Sequence, residues 1–470
     1  MFVGRKKELK LLDEAYQSDK AELVVIYGRR RIGKSCLVEQ FAKDKPHYYS
    51  FEAIEGEKTT SQIKHFTTSL KKQLKDPILD SVDFKNWEKT FAYITDKIIT
   101  GRNSKKKKIL FFDELQWMAA GRSKLVGFIK YYWDKHWKNN NVLLILCGSI
   151  ASFMIKKVLS SNALYGRVTL EILLKGFPAN EAACMFKNKR SKEEILKYLM
   201  VFGGVPKYLE MIDLNRSFNQ NMNKLCFSPQ GPMVQEVERL FYSQFREVQN
   251  YKKIVSLLKT GIYSLEEISK LLKISSGGGL KLYLENLERA EIIRSYIPFG
   301  KGIKSKLKKY SLADEYLHFY FKYIEPNLLM LGESVSERLF ETLTGDSFNQ
   351  WLGFAFERFC FKHAGILADR MGFKDEVLLV SPYFAKRDRK FQIDLLYLRA
   401  DKVVTICEIK HLKEPVGKGV IPEMSRRCAQ LEIPRGYSIE KALISLYGPD
   451  HVLRESGYFN HYVTLEDILG

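Results

Sequence analysis

No uninterrupted apolar run in the 470-residue chain approaches the roughly 20 residues that a membrane-spanning helix needs. The first residues, MFVGRKKELKLL, become charged almost at once and lack the apolar segment of a secretory signal. No lipidation motif or membrane-surface helix signal is evident. We therefore expect a cytoplasmic protein with no membrane partner. The seven cysteines form no C-x-x-C pair and the eight histidines no H-E-x-x-H, which points to reduced thiols and against a zinc site. Acid is scarce beside base: 55 Asp and Glu against 76 Lys and Arg leave a net charge of +21. Such an excess suits a polyanionic partner, nucleic acid ahead of a membrane surface.

A chain of this length exceeds one core, and its apolar content is enough to fill three or four domains. The first has a nucleotide motif. AELVVIYGRRRIGKSCLVEQFA reads as a β-branched strand, a loop and a helix starting near Lys34, and Gly28, Gly33, Lys34 and Ser35 satisfy G-x-x-x-x-G-K-[ST]. The loop Gly28, Arg29, Arg30, Arg31, Ile32, Gly33 and the helix start Lys34, Ser35 and Cys36 can wrap a phosphate with backbone N–H groups. Lys34 then reaches the β/γ-phosphates of ATP and Ser35 ligates Mg²⁺. In KKKKILFFDELQWM an apolar strand ends in Asp113, facing Mg²⁺, with Glu114 beside it to polarise an attacking water. That pair favours hydrolysis over binding alone. NVLLILCGS ends in Ser149, either a sensor of the γ-phosphate or an ordinary turn residue. Arg167 is either a finger for a γ-phosphate, in this or a neighbouring subunit, or a structural arginine.

F-V-G-R-x-x-E-L at 2–9, G-R-R-R-I-G-K-S, F-F-D-E-L-Q, L-Y-G-R and G-G-V-P-K-Y-L at 203–209 occur in the order that resembles archaeal-type ATPases of the AAA+/STAND group, over roughly residues 1–325. The resemblance implies that Phe2, Gly4 and Arg5 lie near the adenine and that Pro206 contacts the nucleotide from a helical lid. Gly176 stands where it leads us to expect proline.

Beyond 177 the apolar spacing turns helical, while the polar stretch DLNRSFNQNMNKLCFSPQGP at 213–232 reads as a linker or irregular crossing. Residues 251–325 read as three helices and a hairpin, a winged helix-turn-helix. Its wing, PFGKGIKSKLKK, has five lysines and no acid, which suits phosphate contact. The third helix carries Glu285, Glu288 and Glu291, which disfavour direct reading of bases.

The last segment poses a different question. VVTICEIK is an apolar strand that ends in Glu408 and Lys410 on one face, and charges there need a counter-charge, a metal ion or a phosphate. A helix with Glu357, a strand with Asp394, a strand with Glu408-x-Lys410 and a further helix together resemble the PD-(D/E)XK nuclease superfamily. The resemblance implies that Glu357, Asp394, Glu408 and Lys410 form an active site in which Asp394 and Glu408 hold Mg²⁺. The basic run Lys386, Arg387, Arg389 and Lys390 just before Asp394 would suit a nucleic-acid substrate.

We thus expect an α/β multidomain protein: a P-loop ASCE ATPase core (1–176), a helical lid (177–245), a winged helix (246–325) and a C-terminal α/β restriction-endonuclease-like domain (326–470). It would bind and hydrolyse ATP and regulate a metal-dependent nuclease acting on DNA in preference to RNA. The alternative is a STAND-like regulatory switch with an inert nucleic-acid-binding C-terminal domain. A homo-oligomer is compatible with either.

Overall fold

The computed structural model of the chain describes residues 2–77, 79, 84–101, 106–121, 123–245, 247–333, 338–384 and 391–470. Two compact units emerge, residues 1–175 with 243–246 and residues 176–242 with 247–470.

The first unit is built on strands β1 (Glu22–Tyr27), β2 (Tyr48–Glu52), β3 (Lys108–Asp113), β4 (Val142–Gly148) and β5 (Leu170–Leu173), all parallel in the order β2-β3-β4-β1-β5. The central strands ELVVIY, KILFFD and VLLILCG are almost wholly apolar because helices cover both faces of the sheet. Alternate residues serve opposite cores. Val25, Phe112 and Leu144 join an aromatic layer in which Phe51 and Phe66 stack at 3.9 Å, whereas Ile26, Phe111 and Ile145 pack under helices Lys6–Gln17 and Lys34–Ala42. Since β1, β3 and β4 are parallel neighbours, their carboxyl ends bring Gly28, Asp113 and Ser149 to one rim of the sheet.

In the second unit, helices Lys192–Phe202 and Pro206–Glu210 are followed by a third, Phe218–Cys226, inside the stretch expected to be a linker. The polar composition concealed it. Phe218, Asn221, Met222 and Leu225 fall on one buried face, and a capping box between Ser217 and Gln220 starts the helix. The buried Asn221 is satisfied by Tyr198 Oη at 2.9 Å and by the N–H of Asp213 at 2.9 Å, so its burial carries no unmet polar group.

Next come helices Val248–Leu258, Leu265–Leu272 and Gly278–Arg289, with β6 (Tyr263–Ser264), β7 (Ile293–Tyr296) and β8 (Lys309–Leu312) in the antiparallel order β6-β8-β7. The last helix ends at Arg289, short of Glu291, which was expected on it, and all three acids have internal partners. Glu288 accepts from Ser295 N–H and Oγ, Glu291 from Gly176 N–H at 2.7 Å, and Glu285 faces Arg289.

The C-terminal part is a mixed sheet of β9 (Val377–Phe384), β10 (Gln392–Arg399), β11 (Val403–Lys410), β12 (Ser438–Ser445) and β13 (His461–Val463), in the order β13-β12-β11-β10-β9. The pairs β9/β10 and β10/β11 are antiparallel and the rest parallel. Helices Ser347–Lys362 and Ile421–Gln430 carry Glu357 and Arg427. The basic run at 386–390 lies outside the described residues. No helix among the described residues is long and apolar enough to cross a membrane.

Candidate functional site

Between β1 and helix Lys34–Ala42 the chain turns through backbone conformations that ordinary residues avoid, with Arg31 at φ 73° and Gly33 at φ 84°. Gly28 is required for a different reason: a Cβ there would lie 2.2 Å from the carbonyl oxygen of Leu174. Ile32 is fully buried and anchors the loop to the core beneath it. Lys34 is also buried, and its Nζ donates to the carbonyls of Gly28 and Arg29, each at 3.1 Å. The ammonium thus spans the loop's own mouth. Arg30 reaches Glu55 at 3.0 Å, Arg29 is buried and Cys36 is exposed.

Ser35 Oγ donates to Asp113 Oδ2 at 2.5 Å, and Asp113 Oδ1 accepts the N–H of Glu114 at 2.8 Å. A hydroxyl and a carboxylate converging on one point are hard oxygen donors of the kind Mg²⁺ takes, so the residues present fit that ion. Glu114 has a left-handed backbone (φ 50°), and its carboxylate accepts from Ser149 Oγ at 2.9 Å and from Gln116 Nε2. Gln116 also donates to Ser149 Oγ at 3.0 Å. Gln244, in the amide orientation that satisfies its neighbours, donates to the Ser149 carbonyl at 3.3 Å and accepts the Arg30 N–H at 2.5 Å. Hydrogen bonds therefore run from Glu114 through Ser149 and Gln244 to the phosphate loop. Neither glutamine figured in the sequence reading. Gln116 belongs to the FFDELQ string already quoted, whereas Gln244 comes from a segment with no local mark.

At the N-terminus, Gly4 and Arg5 have positive φ, and Phe2 packs against the core cluster that holds Ile32. Arg5, 3% exposed, donates to the Ile32 carbonyl at 3.1 Å and to the Lys175 carbonyl at 2.7 Å. Its guanidinium thus braces the loop. Arg167 makes a two-pronged pair with Asp134, at 2.7 and 2.9 Å, not with any residue of the loop. That bond holds the Asp134 carboxyl down at about 2, well below its usual range. Pro206 opens helix Pro206–Glu210 in the second unit.

The profile of an ATPase domain predominantly from Archaea matches residues 2–212. An uncharacterized protein of Methanocaldococcus jannaschii is 33% identical over 359 residues, 76% of each chain. The chain belongs to the archaeal-type ATPases. Another relative of this ATPase is an uncharacterized ATP-binding protein of Pyrococcus abyssi, 26% identical over 243 residues, 44% of this chain and 72% of the relative. Among solved structures, a Pyrococcus horikoshii signal transduction ATPase with numerous domains and a tetratricopeptide repeat sensor is similar at 21% identity and a TM-score of 0.31. That likeness covers 78% of this chain and 49% of the other.

The second unit of the ATPase holds the other cluster. On β10 and β11, Leu395 pairs with Cys407, so the next positions outward are Asp394 and Glu408, which share one face. Glu408, 2% exposed, accepts from Lys410 Nζ at 2.8 Å and from Arg427 at 2.7 Å. Asp394 accepts from Gln392 at 2.6 Å, and burial raises its carboxyl. Burial and the charge of Asp394 push Glu357 up to about 7. Arg427, on helix Ile421–Gln430, was missed from the sequence because nothing local distinguishes it from Arg426. As donors for a divalent ion, Asp394 and Glu408 have suitable chemistry, and Mg²⁺ is content with two carboxylates and water. Among the described residues no group of three or more His, Cys, Asp or Glu forms a cage.

Proposed function

We propose that this archaeal-type ATPase binds and hydrolyses ATP in its first unit, and that nucleotide state governs a metal-dependent phosphodiesterase centre, acting on DNA before RNA, in its second. In the first unit Lys34 would leave the carbonyls of Gly28 and Arg29 for the β/γ-phosphates, and the loop N–H groups would cradle them. Glu114, aligned by Gln116 and Ser149, would orient the attacking water and take its proton. Ser35 and Asp113 would hold Mg²⁺, which neutralises charge on the phosphates.

The observation that carries the second half of the reading is Glu408, a buried carboxylate held between Lys410 and Arg427 beside Asp394. So costly an arrangement is hard to account for as packing alone. Asp394 and Glu408 would hold the metal, which when bound polarises the phosphoryl oxygen and acidifies water. Lys410 would stabilise charge on the phosphate, Arg427 would fix the rotamer of Glu408, and Glu357 would lie beside the water.

The test is incubation of the purified chain with linear, circular and single-stranded DNA and with RNA, under Mg²⁺ or Mn²⁺, with and without ATP, beside Asp394→Ala. We expect cleavage, dependent on ATP state, that the variant lacks. Intact substrates with wild type and variant alike, while ATP is still hydrolysed, would overturn the phosphodiesterase assignment.

A further inference from the structure

Within the second unit, a cavity of about 580 Å³ opens beside the carboxylates. Asp394 and Glu357 line it from the C-terminal part, and Arg294 on β7 lines it from the winged part. Arg358, next to Glu357 on helix Ser347–Lys362, completes the wall.

The two arginines are unusual in their company. Among the described residues neither forms an ion pair within 4 Å of a carboxylate; Arg358 feels the charge of Glu357 first and then of Glu315, Arg294 that of Glu315, and Glu315 is already held by Lys362 at 2.8 Å. Arg294 sits over Phe361, its Cζ 4.1 Å from the ring centre, and makes a long bond, 3.4 Å, to Ser311 Oγ; Arg358 sits over Trp351 at 5.6 Å. Burial pulls both guanidinium groups down to about 10. Two partly buried guanidinium groups without a direct ion pair among the described residues leave their forks open, and that fork matches a phosphate. Phe354 and Phe384 also line the cavity, 54% and 41% exposed.

We propose that this cavity is a subsite for single-stranded nucleic acid, with a backbone phosphate on Arg294 and Arg358 and a base stacked on Phe354 or Phe384. Cationic groups beside exposed aromatic faces are how single strands are gripped without sequence preference. A stacked duplex would not offer a base to those rings. The subsite rests on the reading of this unit as acting on nucleic acid. It adds that the winged part contributes to the strand's path through β7 as well as through its lysine-rich wing.

The experiment is fluorescence anisotropy of a labelled oligothymidylate on the full chain in EDTA, where metal-dependent cleavage is silent. Wild type is compared with Arg294→Ala, Arg358→Ala, Phe354→Ala and Asp394→Ala, with melting curves for each. We expect the arginine variants and Phe354→Ala to bind at least about 10-fold more weakly, and loss of one phosphate contact to reduce the salt dependence by about one ion. Asp394→Ala removes a carboxylate from the cavity wall, so it should bind the strand more tightly than wild type, if it changes binding at all. If an arginine variant does not fold, Arg294→Lys and Arg358→Lys retain charge but lose the fork, and Phe354→Ala removes an exposed ring only. Binding unchanged in the folded variants overturns the subsite, as does duplex DNA competing as well as the single strand. Cleavage that needs Asp394 beside arginine-independent binding would sink the subsite and leave the phosphodiesterase reading intact. Arginine-dependent binding without any cleavage would do the reverse.

Discussion

Ser35 Oγ lies 2.5 Å from Asp113 Oδ2, so the last residue of the phosphate-loop motif and the acid at the end of β3 are already in contact. The parallel pairing of β1, β4 and β3 brings the two residues together. Lys34 is equally prepared, its ammonium held by two loop carbonyls that a phosphate would replace. Lys34→Ala should therefore reduce ATP turnover by about 100-fold or more, as loss of a preorganised charge donor does. Phosphate release measured at saturating ATP checks it, and hydrolysis near the wild-type rate would remove the first unit from the mechanism.

Glu114 receives hydrogen bonds from Gln116 and Ser149, which fix its direction. Glu114→Gln should keep nucleotide binding and lose turnover. Gln116→Ala should lower kcat by about 10-fold with KM little changed, since a positioning residue acts in the transition state. Steady-state kinetics beside fluorescent-nucleotide binding would separate the two effects.

The close approach of Gly28 to Leu174 makes a structural prediction. Gly28→Ala places a Cβ against a backbone carbonyl that cannot yield, and φ 154° is itself unfavourable for alanine. We expect a loss above about 2 kcal/mol in denaturant unfolding of the first unit. Gly33→Ala meets open space and should be milder in stability, its cost arising from φ 84° alone.

Asp134 and Arg167 form a pair whose contribution depends on pH. The folded carboxyl is held at about 2 against an ordinary 3.8. The folded state thus binds fewer protons than the unfolded one between those values. Stability from the pair is fully present above pH 3.8 and fades as pH falls towards 2. Arg167→Ala should cost ~1 kcal/mol near neutrality, and its difference from wild type should shrink at acid pH. Urea midpoints from pH 6 to pH 3 would trace this. A turnover defect rescued by mixing with an Asp113→Ala protein would instead assign Arg167 to a neighbour's site.

Much of the candidate nucleotide site was legible because its residues are contiguous. Gly28 to Cys36 lie in one turn, Asp113 and Glu114 are adjacent, and each follows an apolar strand that announces itself. Glu408 and Lys410 were legible for the same reason, as charges at the end of an apolar strand. Gln244, Arg427 and Arg294 were not. Their placement depends on where distant segments pass, and an isolated polar residue has no periodicity to betray its destination. Helix Phe218–Cys226 failed for a related reason: asparagines masked a face whose burial pattern is ordinary. The acids in and just after helix Gly278–Arg289 were legible as charge but not as internal acceptors for Ser295 and Gly176.

Arg5 holds carbonyls at positions 32 and 175, and β5 pairs with β1 across a similar stretch of chain. The phosphate loop is therefore braced by residues made first and residues made some 170 positions later. During synthesis, at a rate of about 5–20 residues per second, the ribosome takes on the order of ten seconds to deliver the second of these. Until then the glycine-rich loop has its sequence but lacks its clamp. Nucleotide can serve as a partner in folding only after that moment, so a chain truncated just before Leu170 should bind none, although every residue of the motif is present.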